Sequence, residues 1–207
     1  MLVIVDYGLG NLGSVANMLR RIGVTSRVSS SPADVENASA LILPGVGAFD
    51  LGMRNLGARD LIEPLRERVL DQGCPILGIC LGMQLLTRSS EEGGCEGLGW
   101  IRAVTKKLDL AGSSLPVPHM GWNDTRTTDH ALFHDVPGTP RFYYVHSYHV
   151  VCDDPADVAA TCRYGVEVTA AIHHGNIYGT QFHPEKSHKF GMRVLQNFVE
   201  AAGLARC

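Results

Sequence analysis

Cysteine pairs are missing from this sequence. Its six cysteines, at positions 74, 80, 95, 152, 162 and 207, form no CxxC and follow no zinc-ligand spacing, so neither a structural metal nor a disulfide framework is expected. Most are read as reduced, packed thiols, because free cysteine behaves as a small buried hydrophobe. A long apolar leader is missing too: Met1 to Val5 is cut by Asp6, too short for a signal-peptide core or a spanning helix. The expectation is a cytoplasmic protein with no membrane contact. No basic run carries interleaved aromatics, and a net charge of −3 sets up no field for a polyanion, which argues against nucleic acid as a partner. No repeat, low-complexity tract or linker interrupts the 207 residues, and one domain spanning 1–207 is expected.

What is present alternates. Leu2 to Val5 reads as a strand, and apolar residues then recur at helical spacing from Leu12 to Ile22. Thr25 to Ser29 reads as a second strand, Pro32 to Asn37 as a helix or connection, and Ala40 to Leu43 as a fully apolar strand running into Pro44-Gly45. A helical stretch around Leu61 to Leu70 precedes an apolar strand, Pro75 to Ile79, and a helix from Met83 to Thr87. Strands alternating with helices imply an α/β protein whose mostly parallel central sheet is covered on both faces. From about Gly97 the texture becomes β-rich and more antiparallel, with segments Trp100 to Leu108, Arg141 to Val151, and Val168 to His173 turning through His174-Gly175-Asn176 into Ile177 to Phe182. A final helix spans Met192 to Ala202.

Gly78-Ile-Cys-Leu-Gly82 puts a cysteine between two glycines, directly after an apolar strand and before a helix. That is the strand-turn-helix context of a nucleophile elbow, in which small neighbours let strand and helix approach each other. The helix N-terminus favours a thiolate, and a nearby base is needed as well, because a free thiol is only slightly ionised at neutral pH. The competing reading is a buried core cysteine between structural glycines. Gln181-Phe-His-Pro-Glu185 ends a late strand with such a base: His183 reaches Cys80 if the two strands are neighbours, and Glu185 then accepts the other ring proton. Here the competing reading is a solvated surface loop.

Gly-Ile-Cys-Leu-Gly-Met-Gln and Gln-Phe-His-Pro-Glu together resemble the class I, triad glutamine amidotransferases, whose fold is flavodoxin-like. Pro44 to Phe49, Pro118 to Asn123, Tyr143 to Tyr148 and Glu185-Lys-Ser187 resemble more narrowly the glutaminase-subunit family of imidazole glycerol phosphate synthases, which serve histidine biosynthesis. The resemblance runs from Asp6-Tyr-Gly-Leu-Gly-Asn-Leu12 to the last helix. It implies a glutaminase with Cys80 as nucleophile, His183 as base and Glu185 as orienter. It implies an oxyanion hole from the backbone N–H groups of Leu81 and Val46, leaving open whether the Val46 peptide must flip first. Gly47, Gln84, Ser147 and Tyr148 are implied as glutamine contacts. Asn11, Ser14, Met120 and Trp122 are implied to face a (β/α)8-barrel cyclase subunit that receives the ammonia in a heterodimer and makes imidazole glycerol phosphate and AICAR from PRFAR. No cofactor is implied.

Gly8-Leu-Gly-Asn-Leu-Gly13 literally satisfies the dinucleotide pattern, but the following strand ends in serine and proline, with no carboxylate for a ribose. The resemblance reads the segment as a partner-facing loop. Trp100 to Ala103 departs from the family, which usually has a glycine-containing turn there. Three rivals stay open: a triad glutaminase serving an anthranilate or sugar-modifying synthase, a non-catalytic binding module on the same fold, and a cysteine hydrolase of peptides.

Overall fold

Alternate residues of the first strands feed two different hydrophobic layers. In the computed structural model, which describes residues 1–204, Leu2 and Ile4 of β1 (Leu2–Val5) join one core cluster while Val3 and Val5 join the other. The same division holds in β3 (Ala40–Gly45), where Ala40 and Ile42 face one way and Leu41 and Leu43 the other. A strand buried on both faces must be apolar at every position, which is why these segments read as unbroken hydrophobic runs.

Among the described residues the main sheet has nine strands. β2 (Ser26–Ser29), β1, β3, β4 (Ile76–Cys80) and β13 (Ile177–Thr180) run parallel. Beyond β13 the sheet turns antiparallel through β12 (Val166–His174), β11 (Val158–Tyr164), β8 (His119–Thr127) and β9 (Arg141–His146). A second sheet is built from β10 (Tyr148–Cys152), β7 (Ala103–Lys107) and the two-residue strands β5 (Ser89–Ser90) and β6 (Cys95–Glu96). The expected architecture is therefore present, with the second sheet as an addition. Arg141 to Val151 is not one strand: it breaks at Ser147, and its halves enter different sheets.

α1 (Leu12–Arg21) begins where Asn11 Oδ1 accepts the Ser14 N–H at 3.4 Å, and carries Arg20 and Arg21 in its last turn, where cations complement the helix dipole. α2 (Pro32–Glu36) opens with its proline, and α6 (His188–Ala201) starts four residues before the expected Met192. A helix over Phe49–Ala58, α3, was not expected. Gly52 and Gly57 dilute its signal, and Gly52 is there for packing, since a Cβ would stand 3.1 Å from both Leu85 methyls. The stretch from 61 to 70 splits into α4 (Ile62–Arg66) and a π-helical turn, Glu67–Asp71. The helix after the elbow, α5, spans Leu81–Leu85 rather than 83–87. Trp100 to Ile101, where the sequence departs from the family, forms no strand; both N–H groups instead donate to Leu86 O, and β7 begins at Ala103.

Candidate active site

Cys80 is the last residue of β4, and its backbone is the strained point of the elbow. It has φ 53° and ψ −109°, a conformation that L residues rarely adopt. Gly78 and Gly82 make the turn possible for the steric reason expected. A Cβ on Gly78 would lie 2.7 Å from backbone atoms of Gly82 and Met83, and one on Gly82 would overlap Leu43 O. Cys80 is buried and free, as are Cys74 and Cys162; Cys95 and Cys152 are free and half-buried, and Cys207 lies outside the described residues.

β13 pairs with β4 in parallel, Thr180 opposite Ile79, so the segment leaving β13 emerges beside the elbow. This is the neighbourhood that the sequence reading required for His183. His183 Nδ1 lies 2.9 Å from Glu185 Oε1, with both side chains 2% exposed. Pro184–Lys186 forms a single 3₁₀ turn that brings the two groups together. His183 Nε2 is buried without a hydrogen-bond partner, so imidazole and thiol are poised rather than bonded. Burial alone lowers the imidazole pKa, but the adjacent Cys80 and Glu185 outweigh it and raise it to about 9. The loop is tied down by Ser187, whose fully buried hydroxyl donates to His183 O at 2.7 Å and accepts the Tyr143 N–H at 3.0 Å. The His183 N–H in turn donates to Tyr143 O at 2.9 Å.

In front of Cys80 lies a cavity of about 280 Å³ lined by Val46, Gly47, Leu81, Gln84, Ser147 and Tyr148 together with Glu92, Pro118, Val145 and His146. All six residues expected as oxyanion donors or glutamine contacts therefore line one cavity with Cys80. Gly45 pairs with Cys80 across the sheet, which brings the Val46 peptide to the mouth of the elbow. Gly47 has φ 110°, a conformation that favours glycine. Leu81 is the first residue of α5, where a backbone N–H has no intrahelical partner and is free to face an anion.

Gln84 is placed as expected but already engaged: its Nε2 donates to Tyr148 O at 2.9 Å and to Gln181 Oε1 at 3.0 Å, leaving its Oε1 as the open group. Gln181 Nε2 points at Cys80 Sγ from 3.6 Å. Sequence reasoning gave Gln181 no role, although it stands in the motif that identified His183. Glu92 was missed because nothing local marks it; its carboxylate accepts the Phe49 N–H at the start of α3.

Met120 and Trp122 protrude from β8, 61% and 42% exposed, and Trp122 stacks on His188 with ring centroids 5.2 Å apart. Asn11 is exposed and Ser14 half-buried beside it. Their loop adjoins the segment that carries Val46, since a Cβ on Gly10 would lie 3.1 Å from Pro44 O. Among the described residues no three metal-ligand side chains converge, and no helix is long and apolar enough to cross a membrane.

Comparison with known proteins agrees with this geometry. The model of the family "Glutamine amidotransferase class-I" matches residues 3–202. The imidazole glycerol phosphate synthase subunit HisH 2 of Methanococcus maripaludis is 48% identical over 98% of this chain and 100% of that protein. The subunit of the same name from Pseudomonas aeruginosa is 47% identical over 97% of this chain and 99% of its own length. Among solved structures, one described as a glutamine amidotransferase superimposes with a TM-score of 0.77 at 19% identity, covering 98% of this chain and 99% of that one, which speaks to the fold. The chain belongs to the class-I glutamine amidotransferase family.

Proposed function

We propose that this chain is the glutaminase subunit of an imidazole glycerol phosphate synthase, a single amidotransferase domain working in the cytoplasm, where a thiol nucleophile stays reduced. The observation that carries the chemistry is the strained Cys80 beside a buried His183–Glu185 pair at the floor of an amino-acid-sized cavity. In this reading His183 takes the Cys80 proton and the sulfur attacks the glutamine side-chain carboxamide. The oxyanion is held by the N–H groups of Leu81 and Val46, each worth about a hundredfold or more in rate. Collapse expels ammonia, protonated by His183, and leaves a glutamyl thioester. Water, deprotonated by His183, then attacks the thioester, releasing glutamate and restoring the thiol. The balance is glutamine plus water to glutamate plus ammonia. Glu185 keeps the imidazole in the tautomer that presents Nε2 to the sulfur.

The near-full-length HisH relatives support the pathway. The partner proposed is the cyclase subunit, a (β/α)8 barrel bound as a heterodimer over the face of Met120, Trp122, Asn11 and Ser14. It receives ammonia and converts PRFAR to imidazole glycerol phosphate and AICAR. The test is glutamate release from glutamine with and without a cognate cyclase subunit supplied with its ribonucleotide. Release that needs the loaded partner supports the reading; release indifferent to it reassigns the pathway to another synthase.

A further inference from the structure

A line of hydrogen bonds runs from the exposed side of β8 to the nucleophile. Asn123 Nδ2 lies 2.9 Å from Arg163 O and 3.2 Å from His119 Nε2. His119 Nδ1 lies 2.9 Å from His146 Nε2, and His146 Nδ1 lies 2.9 Å from Tyr148 O. Tyr148 O also accepts from Gln84, which bonds Gln181, whose amide faces Cys80 Sγ.

The direction of every bond is fixed from both ends. A carbonyl only accepts, so His146 Nδ1 must carry a proton and, in a neutral ring, its Nε2 must accept. His119 Nδ1 must then donate, leaving its Nε2 as an acceptor. At the other end the amide of Asn123 is oriented independently by Arg163 O, so it presents a donor to that same nitrogen. Burial holds both rings neutral, pushing the pKa of His119 down to about 4 and that of His146 to about 3, where His119 adds to the effect. His119 is further fixed between Tyr144 and Tyr164, with ring centroids 4.7 and 4.0 Å away.

The bend between β9 and β10 is held toward β7 by the Leu108 N–H donating to Ser147 O at 2.9 Å and by the pairing of Tyr148 with Lys107, and the histidine line restrains it from β8 and β9. It is where Ser147 and Tyr148 line the cavity, and the last bond of the line closes over it from residue 146 to residue 148. We infer that His119 and His146 are positioning residues, both locked as the Nδ1–H tautomer, that hold the Ser147–Tyr148 bend at the distance from Cys80 at which it binds the α-amino and α-carboxylate end of glutamine. The inference rests on the glutaminase reading. Neither ring touches the reacting carboxamide; they act through the bend.

The test combines nitrogen-15 imidazole spectra with kinetics on the complex with the cyclase subunit. The wild type is expected to show the rings of His119 and His146, each assigned by the signal lost on its own replacement, with protonated Nδ1 and bare Nε2, the minority form in water. His119→Leu, which leaves His146 without a donor, is expected to raise KM for glutamine about tenfold while kcat at saturation changes less than about threefold. His119→Asn, whose amide can donate to His146 Nε2, should restore KM to within about threefold. If His119→Leu does not fold, half-buried Asn123→Leu gives the same reading with a smaller rise. Both rings found as Nε2–H in an active wild type, or KM unchanged in a folded His119→Leu, would overturn the inference while the glutaminase stands. A wild type that shows the Nδ1–H rings but releases no glutamate would overturn the substrate role together with the glutaminase reading.

Discussion

Ser187 is the residue whose removal most cleanly separates the placement of the base from the base itself. Its hydroxyl is fully buried, donates to His183 O and accepts from Tyr143 N–H, so Ser187→Ala strands the Tyr143 N–H, while His183 O keeps the Lys186 N–H at 3.0 Å. At about 1–3 kcal/mol for the unsatisfied group, the loss comes to about 1–3 kcal/mol of unfolding free energy. For a domain of this size that corresponds to a fall in Tm of roughly 2–12 °C. The activity should fall further than stability requires. The His183–Glu185 turn would then be held to β9 mainly by the single His183 N–H to Tyr143 O bond, and a displacement near 1 Å costs up to about a hundredfold in rate. Urea unfolding and kcat measured well below the new Tm provide the check. A variant that unfolds within about 0.5 kcal/mol of the wild type and retains full kcat would refute the view that Ser187 positions the base.

Cys80→Ala and Cys80→Gly should both abolish glutamate release, yet Cys80→Gly should be the more stable of the two by about 1 kcal/mol, because glycine accepts φ 53° without strain; equal denaturation midpoints would count against a strained elbow. Gly82→Ala should fail to give folded protein, since the new methyl overlaps Leu43 O, and a normal circular dichroism melt would contradict the packing described. The histidines set opposite pH limits on stability. The pKa of His183 is raised to about 9, so its contribution is complete below its unfolded value near 6.5 and is lost as pH rises through 9. His119 and His146 are lowered to about 4 and about 3, so the unfolded chain binds more protons than the native one as pH falls below 6.5, and stability is lost toward 4. Unfolding free energy measured from pH 5 to 9.5 should therefore fall on both sides of 6.5. The alkaline slope should be shallower in Cys80→Ala, because Cys80 helps raise His183; an unchanged slope would remove that coupling.

The parallel half of the fold was legible because strands buried on both faces cannot hide polar residues, and because Gly78 and Gly82 mark a turn that nothing larger can make. The convergence of Cys80, His183 and Glu185, the proposed triad, was legible for a related reason: they lie in two short segments whose strands are neighbours. What stayed hidden depends on contacts between distant segments. α3 is weakened by glycines that serve its packing on α5, and the break at Ser147 leaves no trace in a run of β-forming residues. Glu92 enters the cavity from a turn with no local signal. Gln181 stood in plain view within its motif, but its role shows only when its amide is seen facing Cys80. The two histidines of β8 and β9 looked scattered in sequence and meet only through the antiparallel pairing of His119 with His146.

The central claim is covalent catalysis at Cys80, and the most direct test is mass spectrometry of the protein quenched in acid during glutamine turnover with its loaded partner. The account predicts a glutamyl thioester on the peptide that contains Cys80, absent in Cys80→Ala and discharged by hydroxylamine. Glutamate release that persists in Cys80→Ala, or an adduct on a different cysteine, would contradict it.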